Sequence, residues 1–366
     1  MKTIELKTST QNQSTKILIG SHIIETLPDQ LTQFQASSCY LITDSHVAPL
    51  YLDQLTRILT TRFDQKNIHT YIVPAGESSK QLSMAELIYQ DMASHGVDRA
   101  SIVINLGGGV VSDLGGFVAS TYMRGIPFIT ISTTLESMVD ASFGGKTGVN
   151  LGVLKNYVGV FTQPRLVVLD VSTLNTLPKR ALIQGYAEVL KHGLIQDKAY
   201  FERASTLRWD SFTLEDLMEI IERSVMIKKN IVSQDPYEIG ARKLLNFGHT
   251  VGHVIESTSF SSDNPLFHGE AVAIGMVAET WISHLMGMIA QKDAETIEQC
   301  IASVGLPTRF HFSGQIEDLI HNLLSDKKTT HGTIRFALLH QIGKGVFDKE
   351  VSELIIHQGI SHVISK

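Results

Sequence analysis

Short apolar runs alternate with helix-length amphipathic stretches from the start of the chain to about residue 170, and this alternation most constrains the fold. Near-continuous apolar strands separated by helical patterns predict a parallel or mixed sheet with helices on both faces. Nucleotides bind such sheets at the carboxyl ends of the strands. The predicted strands are Lys16–Ile19, Cys39–Thr43, Thr70–Val73, Ser101–Leu106, Phe128–Ile131 and Leu166–Leu169.

Helical periodicity dominates after Pro178. Because 366 residues exceed what one hydrophobic core usually holds, we expect two domains. The predicted fold is an α/β domain with a Rossmann-like nucleotide-binding sheet over residues 1–175, followed by a mostly α-helical domain over residues 176–366. The second domain is predicted to contain one late strand, Thr333–His340, and the helices Arg180–Ile195, Leu214–Val232, Arg242–Ser257, Ala271–Met286 and Ala294–Val304.

The composition excludes several classes of protein. A formal net charge of -6 and a pI near 6.2 are not those of a typical nucleic-acid-binding protein, which is basic. Cys39 and Cys300 lack metal-binding spacing, so we expect both to be reduced and buried, without a disulfide framework or a zinc ribbon. The sequence has neither a secretion signal nor a membrane-spanning run, and we expect a cytoplasmic protein whose basic residues serve a small-molecule pocket.

A glycine turn follows one of the predicted strands. Ser101–Leu106 runs into Gly107-Gly108-Gly109, and a predicted helix containing Asp113 follows. Bare backbone at a helix N-terminus binds anions, which favours a dinucleotide pyrophosphate here. The segment differs from GxGxxG, however, and glycine turns also close strands for structural reasons. After two other strands, Asp44 is a candidate acceptor for ribose hydroxyls, and the loop at residues 75–80 offers a carboxylate and an ammonium.

A second glycine-rich segment contains Lys146. Gly144-Gly145-Lys146-Thr147 does not form a phosphate-binding Walker motif, because Asp140 stands where that motif requires glycine. The lysine is accompanied by Asp140, Asn150, Lys155 and Asn156. Lysine suits phosphate, and carboxylates and amides suit hydroxyls, so this cluster favours a phosphorylated polyol over the alternative of a polar surface loop.

Histidines dominate the second domain. His249 and His253 are four residues apart, so they share one helical face, and His268 follows soon after. Neutral imidazoles in one cavity commonly bind a divalent metal, although two histidines satisfied by backbone carbonyls are the alternative. On the apolar helix at residues 185–193, Glu188 either forms a surface ion pair with Lys191 or completes a His2Glu metal site.

Taken together, these segments resemble the 3-dehydroquinate synthase family of sugar phosphate cyclases. The motifs occur in the family order and cover most of the chain. They are GGGVVSD (107–113), TYMRG (121–125), TTLESMVDASFGGKTGVN (133–150), KNYVGVF (155–161), GYAEVLKHG (185–193), RKLLNFGHTVGH (242–253), HGEAVAIGM (268–276) and DKK (326–328).

The resemblance implies that the protein converts 3-deoxy-D-arabino-heptulosonate 7-phosphate to 3-dehydroquinate and phosphate in the shikimate route to aromatic amino acids. NAD would oxidise the carbon-5 hydroxyl, phosphate would leave by β-elimination, and the same NADH would reduce the product. Ring opening and an intramolecular aldol closure would then form the carbocycle. A divalent metal, zinc or cobalt, would polarise the hydroxyl that loses hydride.

The resemblance also assigns residues. The metal ligands would be Glu188, His249 and His268, so His253 would bind the substrate phosphate instead of the metal. Phosphate would also contact Lys146, Asn156 and Asn246, with Arg124 reaching it from a neighbouring subunit of a homodimer. Carboxylate partners would be Lys228 and Arg242, and proton handling and hydroxyl binding would fall to Asp140, Lys191 and Glu238. Either Lys327 or Lys328 would close the pocket.

NAD would be bound, by resemblance, by Asp44, Glu77, Lys80, Gly109, Asp113, Thr133, Thr134, Lys146, Lys155, Thr173 and Thr176. Three places depart from the family pattern beside this site: Ser112 stands where glycine is usual, Ser132 where proline commonly precedes the threonines, and Glu136-Ser137-Met138 where a more apolar run is frequent. We expect Ser112 to cap the helix that follows, since serine side chains satisfy N-terminal N–H groups.

Three other functions remain open at this stage. A sugar phosphate cyclase making 2-deoxy-scyllo-inosose or a valiolone would use another sugar phosphate, whereas Arg242 and Asn246 favour the carboxylated heptulosonate. A metal-dependent polyol dehydrogenase would accumulate NADH. A nucleotide-binding regulatory module would need none of Lys146, Lys191, Asn246 and His253.

Overall fold

The computed structural model describes residues 1–8, 14–152, 154–209, 211, 213–262, 264–325 and 334–366. The chain divides into two compact units, Met1–Leu177 (unit 1) and Pro178–Lys366 (unit 2). This division lies two residues beyond the domain boundary proposed from the sequence.

Unit 1 alternates strands and helices along its length. Its strands are β1 (Lys2–Lys7), β2 (Ser14–Gly20), β3 (Ser38–Asp44), β4 (Ile68–Val73), β5 (Ser101–Gly107), β6 (Phe128–Ser132), β7 (Lys146–Leu151), β8 (Leu154–Phe161) and β9 (Leu166–Asp170). Its helices are α1 (Leu27–Leu31), α2 (Ala48–Leu59), α3 (Leu82–Ser94) and α4 (Gly109–Thr121).

A seven-stranded sheet with the order β1-β2-β9-β6-β5-β3-β4 forms the centre of the described part of unit 1. All six predicted strands are confirmed, and they are parallel to one another. Strand β1 was missed; it pairs antiparallel to β2 at the edge, and its burial alternates because one side faces water. The β7–β8 hairpin was also missed, since its burial is too irregular to produce a clear strand pattern.

Helices cover both faces of this sheet, as predicted. Leu41 and Ile104 point to one face, where they pack in a core with residues of α1 and α2. Their strand neighbours Tyr40 and Val103 point to the other face and pack with residues of α3 and α4. Every residue of β5 is buried, and apart from Ser101 and Asn105 this strand reads as an apolar run. Each fully buried aliphatic side chain contributes about 1.5–3 kcal/mol.

Unit 2 is mostly helical, as predicted. Its helices are α5 (Lys179–Gln196), α6 (Lys198–Ser205), α7 (Leu214–Gln234), α8 (His249–Ser259), α9 (His268–Leu285), α10 (Gln291–Ser303), α11 (Ile316–Ser325) and α12 (Glu353–Val363). Its short strands are β10 (Phe310–His311), β11 (Arg335–Gln341), β12 (Lys344–Glu350) and β13 (Ile364–Ser365). Helix α9 packs against α5, α8 and α12, and the run 271–280 within it is entirely buried.

The predicted helix Arg242–Ser257 is wrong, because the structure breaks it in the middle. Residues 241–246 form a 3-10 helix, and α8 begins only at His249. Gly248 causes the break: its φ is 81°, and an added Cβ would lie 2.5 Å from Met276 Cγ. Only glycine tolerates both conditions. The break makes His249 the first residue of a helix.

Three smaller expectations can also be compared with the structure. Thr333, at the start of the predicted late strand, lies outside the described residues, and the remainder of that run falls mainly in β11. Both cysteines are free, but Cys300 is only partly buried, contrary to expectation. No helix within the described ranges is long and apolar enough to cross a membrane.

Candidate active site

The carboxyl ends of β3 and β5 lie side by side in unit 1. Thr43 pairs with Leu106, so Asp44 and Gly107 leave the sheet next to each other. Strand β4 follows β3 along the chain but lies on its other side, which makes the β3–β5 boundary a topological switch point. Ligands of open α/β sheets bind in the crevice at such a point.

The predicted glycine turn lies at this crevice. Gly108 is the N-cap of α4, and the helix starts at Gly109. An added Cβ on Gly107 would lie 2.6 Å from Val111 Cγ2, and one on Gly108 would lie 3.0 Å from Thr134 Cγ2. The glycines therefore have a packing role, and they also leave bare backbone at the positive end of a helix, which fits a pyrophosphate.

Lys80 and Asp113 form an ion pair in unit 1. Lys80 Nζ lies 2.5 Å from Asp113 Oδ2, and Lys80 is only 5% exposed. Burial acts to lower the pKa of Lys80, but Asp113 and Glu77 outweigh it, so the pKa is raised and the lysine stays an ammonium. The predicted NAD ligands thus include a buried charge pair that can serve a polar ligand or stabilise the unit itself.

Asn150 connects two other predicted residues, a role that sequence reasoning missed. Its Nδ2 donates to Glu77 Oε1 at 2.9 Å, and its Oδ1 accepts from the Asn156 backbone N–H at 2.8 Å. Asn156 has a φ of 52°, a left-handed conformation that asparagine tolerates better than most residues. The only sequence signal for Asn150 was its place in the polar segment after Lys146.

Five more predicted NAD ligands of unit 1 follow the ends of parallel strands. Asp44 Oδ1 accepts from the backbone N–H groups of His46 and Val47, so this carboxylate also caps the turn before α2. Thr133 and Thr134 follow β6, and the Thr133 N–H donates to Gly107 O at 3.0 Å. Thr173 and Thr176 follow β9, and both contact the Tyr51 hydroxyl.

The remaining predicted residues of unit 1 are scattered over several elements. Asp140 lies in a π-helical turn, and Arg124 has a φ of 70° in the turn after α4. Lys146 is exposed at the start of β7, and Lys155 is exposed on β8. The expectation for Ser112 is wrong: it lies inside α4, and its hydroxyl donates to Gly108 O at 3.0 Å instead of capping the helix.

Three helices of unit 2 bring the proposed metal ligands together. Glu188 lies in the middle of α5, and His249 and His268 are the first residues of α8 and α9. One ligand atom from each lies within 4.8 Å of the others, and Glu188 Oε1 is 3.6 Å from His249 Nε2. Two imidazoles and a carboxylate match the three-ligand set of catalytic zinc sites, which keep a fourth position for substrate.

Glu188 and His249 are in states that suit metal ligands. Glu188 forms an ion pair with Lys191 whose side chains are both 1% exposed, so the surface-pair alternative is wrong. Burial, and then Lys191, lower the pKa of His249 well below 6.5, so its ring is neutral near pH 7. His249 Nδ1 lies 3.2 Å from Phe247 O, which can only accept, so the proton is on Nδ1 and Nε2 faces Glu188 with a lone pair.

His253 lies beside the cluster on the same side of α8. Its ring centroid is 5.3 Å from that of His249 and 5.9 Å from that of His268. His253, Glu256 and His268 form a second group with metal-ligand spacing, and Glu256 Oε2 is 3.4 Å from His268 Nδ1. Neither of these two groups contains both His249 and His253. Sequence reasoning missed Glu256, although its position one turn after His253 was a signal.

Asn246 and Glu238 are joined just before α8. Asn246 Nδ2 donates to Glu238 Oε1 at 2.5 Å, and Glu238 has a φ of 60°. Asp235 supports this turn by accepting the backbone N–H groups of Ile239, Gly240 and Arg242. Burial acts to raise the pKa of Asp235, but these bonds outweigh it and lower the pKa, so the residue stays ionised. Sequence reasoning missed Asp235.

Two buried cations of unit 2 were predicted to bind a carboxylate. Arg242 is 3% exposed, and its Nη1 donates to Pro236 O at 2.6 Å. Lys228 is 4% exposed on α7. Lys327 and Lys328 lie outside the described residues.

Two family models match the chain: 3-dehydroquinate synthase N-terminal over residues 70–184, and 3-dehydroquinate synthase C-terminal over residues 185–329. The 3-dehydroquinate synthase of Desulforamulus reducens is 42% identical over 348 residues, which cover 93% of this chain and 95% of that protein. The chain belongs to the 3-dehydroquinate synthase family. The family's enzyme from Thermoanaerobacter pseudethanolicus is 43% identical over 85% of this chain and 86% of that protein.

Solved structures of other sugar phosphate cyclases are similar to this member of the 3-dehydroquinate synthase family. The 2-epi-5-epi-valiolone synthase of Streptomyces hygroscopicus subsp. jinggangensis, with NAD+ and Zn2+ bound, has a TM-score of 0.86 and 27% identity, covering 98% of each chain. A 2-deoxy-scyllo-inosose synthase complexed with carbaglucose-6-phosphate, NAD+ and Co2+ has a TM-score of 0.89 at 23% identity, covering 99% of this chain and 100% of that one. The second likeness shows the fold alone.

Proposed function

We propose that this chain converts 3-deoxy-D-arabino-heptulosonate 7-phosphate to 3-dehydroquinate and phosphate, with catalytic NAD and a divalent metal, zinc or cobalt. The cluster of Glu188, His249 and His268 carries the proposal, because it lies in a chain that is 42% identical to a 3-dehydroquinate synthase over 93% of its length. The NAD+ and Zn2+ bound to the related valiolone synthase support the same two cofactors here.

In unit 2, we assign the metal to Glu188, His249 and His268. When bound, the metal polarises the substrate hydroxyl that is oxidised. The burial of His249 keeps its imidazole neutral and available as a ligand. Lys191 lies against Glu188 in a buried position, where its ammonium can donate to a substrate hydroxyl and move a proton.

The substrate's other groups are assigned to residues whose donors suit them. Arg242 presents a planar fork that matches a carboxylate, and Lys228 adds a second positive charge. Glu238 holds the amide of Asn246, and we assign Glu238 and Asp140 to hydroxyls and proton transfer. The phosphate is assigned to the side chains of Lys146, Asn156, Asn246 and His253, with Arg124 from a neighbouring subunit. By the family resemblance, either Lys327 or Lys328 would close the pocket.

In unit 1, we place NAD at the β3–β5 crevice. NAD bound there would supply reversible hydride transfer. The start of α4 at Gly109 suits the pyrophosphate, and Asp44 suits a ribose hydroxyl. Further contacts are assigned to Glu77, Lys80, Asp113, Thr133, Thr134, Lys146, Lys155, Thr173 and Thr176.

We also propose a cytoplasmic homodimer without nucleic-acid or membrane partners. The net charge of -6 gives no footprint for nucleic acid, and the role of Arg124 requires a second subunit. Sedimentation equilibrium tests this point: twice the chain mass of 40.4 kDa supports it, and a monomer at micromolar concentration refutes it.

The decisive assay follows phosphate release and NADH absorbance together, with the heptulosonate phosphate, NAD and zinc. We expect phosphate release without lasting NADH. Stoichiometric NADH would favour a polyol dehydrogenase, and absence of turnover would contradict the proposal. Glucose 6-phosphate is the matched control substrate, because its carba-analogue binds the 2-deoxy-scyllo-inosose synthase; preferential turnover of glucose 6-phosphate would favour that rival activity.

A further inference from the structure

One face of α5 contacts the start of α9 at several points. Arg180, Gln184 and Glu188 are spaced four residues apart, so they follow the same helical face. The Arg180 guanidinium donates through Nε to Glu270 Oε1 and through Nη2 to Glu270 Oε2, both at 2.7 Å. Gln184 Oε1 accepts the Gly269 backbone N–H at 2.8 Å. These contacts therefore hold Gly269 and Glu270, the two residues that follow His268.

Arg180 also holds the segment that leads into α9. Its Nη1 donates to Asn264 Oδ1 at 3.0 Å, and its Nη2 donates to Pro265 O at 2.9 Å. Its Cζ lies 4.2 Å from the centre of the Phe267 ring. Glu270 Oε2 in turn accepts the Phe267 backbone N–H at 2.8 Å, which caps the helix. A single guanidinium therefore fixes the path of the chain immediately before His268.

Gly269 shows how closely the two helices approach. A Cβ at this position would lie 2.0 Å from the Gln184 backbone oxygen and 2.7 Å from Gln184 Oε1. No side chain can be accommodated there without separating α5 from α9. The distance between the elements that carry Glu188 and His268 is thus set by backbone contact at Gly269, and Arg180 and Gln184 keep that contact closed.

The three proposed ligands differ in how firmly their own surroundings hold them. Glu188 is 1% exposed on a long helix, whereas the His268 side chain is 31% exposed and follows an irregular segment. A ligand that must be ordered when the metal binds reduces the affinity, and supporting contacts that order it beforehand restore that affinity. His268 is the ligand that most needs such support.

We infer that Arg180 and Gln184 are positioning residues for the metal site, which hold His268 at the correct distance from Glu188. The inference rests on the ligand set assigned under the proposed function. Neither residue touches the metal or the substrate in this account. Their effect passes through Glu270 and Gly269, the two residues that follow His268. Supporting residues of this kind typically change metal affinity about 10–100-fold when mutated.

The test compares zinc affinity, measured by competition with a chelator, in wild-type protein and in Arg180→Gln. We expect the dissociation constant to rise about 10–100-fold. Arg203→Gln is the matched control, because Arg203 also forms ion pairs with carboxylates, in its case Asp216 and Glu219, and its side chain is 44% exposed compared with 40% for Arg180. Arg203→Gln should stay within about twofold of wild type, as expected for a surface ion pair.

Two conservative variants separate positioning from general destabilisation. Arg180→Lys keeps the charge but loses the bidentate fork, so it should bind zinc less tightly than wild type and more tightly than Arg180→Gln. Gln184→Met keeps the volume and removes the acceptor for Gly269, and it should also weaken binding. The absorption bands of bound Co2+ should shift in both variants, which a merely destabilised protein with an intact site would not show.

The inference is overturned if Arg180→Gln and Gln184→Met bind zinc as tightly as wild type does, or if Arg203→Gln weakens binding equally. The zinc content of Glu188→Ala shows whether such a result contradicts only the positioning role or the proposed function as well. If Glu188→Ala keeps its zinc, the assigned ligand set is wrong. If Glu188→Ala loses its zinc while the Arg180 and Gln184 variants keep theirs, only the positioning role is wrong.

Discussion

The two units build their candidate sites in different ways. In unit 1, most of the proposed NAD residues follow the carboxyl ends of parallel strands, so the sheet itself gathers them at one edge. In unit 2, Glu188, His249 and His268 come from three helices, and tertiary contacts between the helices bring them together. Because the sheet positions the residues of unit 1, the loops there can vary in sequence while the site keeps its place. The position of the metal site in unit 2 depends instead on individual contacts between helices.

The largest expected effect comes from removing one proposed metal ligand of unit 2. His249→Ala removes a neutral imidazole ligand, and we expect dialysed protein to lose its stoichiometric zinc. His253→Ala is the matched control four residues away on α8; it should retain zinc and lose turnover. Metal analysis after dialysis measures the first effect, and phosphate release measures the second. Equal zinc loss in both variants would restore the hypothesis that both histidines are ligands.

A second prediction concerns the contact between α8 and α9. The buried Glu279 carboxylate accepts the backbone N–H groups of Gly248 at 2.6 Å and Val251 at 3.0 Å, so α9 caps the helix that begins at His249. Glu279→Ala leaves these donors unpaired, and we expect the free energy of unfolding to fall by about 3 kcal/mol. Glu295→Ala, at an exposed position, should change it by less than about 0.5 kcal/mol. Equal urea midpoints for the two variants would contradict this role.

A substitution in the proposed NAD site of unit 1 should weaken NAD binding without changing zinc binding in unit 2. Lys80→Met removes the ammonium paired with Asp113, and we expect NAD to bind about tenfold more weakly, as for one lost charged hydrogen bond. Zinc affinity should stay unchanged, because the proposed ligands belong to unit 2. Calorimetric titration with each ligand tests both statements. Unchanged NAD affinity with a lower melting temperature would show that the pair only stabilises unit 1.

The smallest expected effect is a pH dependence of stability in unit 2. Burial acts to raise the pKa of Glu298, but hydrogen bonds from His362 and Trp281 and the charge of Arg309 outweigh it and lower the pKa below 4.5. The native state then binds fewer protons than the unfolded state, so Glu298 stabilises the fold above pH 4.5. That stability is lost as the pH falls through the lowered pKa.

Glu298→Gln tests this dependence. Wild type should exceed the variant by about 1 kcal/mol in free energy of unfolding near pH 7. The difference should shrink steadily below pH 4.5 in urea titrations. A difference that does not vary with pH would contradict the account of Glu298.

The sequence predicted unit 1 better than unit 2 for a physical reason. A buried parallel strand reads as a continuous apolar run, and all six such strands were located. The break at Gly248 was not predictable from periodicity, because it depends on the approach of Met276 from another helix. The contact between Asn150 and Glu77 was unpredictable for the same reason, because the two residues are far apart in sequence and become neighbours only after folding.

The resemblance to a family separated the roles of two histidines that their spacing alone could not distinguish. Both His249 and His253 lie on α8, and their rings are in contact. In the structure, His249 Nε2 lies beside Glu188, whereas His253 is grouped with Glu256 and His268. Local sequence thus predicts a metal site in this region, while the choice of ligands depends on tertiary packing.

X-ray absorption at the zinc edge of the loaded protein tests the central claim most directly. We predict two imidazole nitrogens at about 2.0–2.1 Å and one carboxylate oxygen at about 2.0–2.2 Å, with further ligands from solvent. His249→Ala should abolish this signal or reduce it to one imidazole, and His253→Ala should leave it unchanged. A wild-type signal in His249→Ala together with a lost imidazole in His253→Ala would contradict the assignment of Glu188, His249 and His268 as the metal ligands.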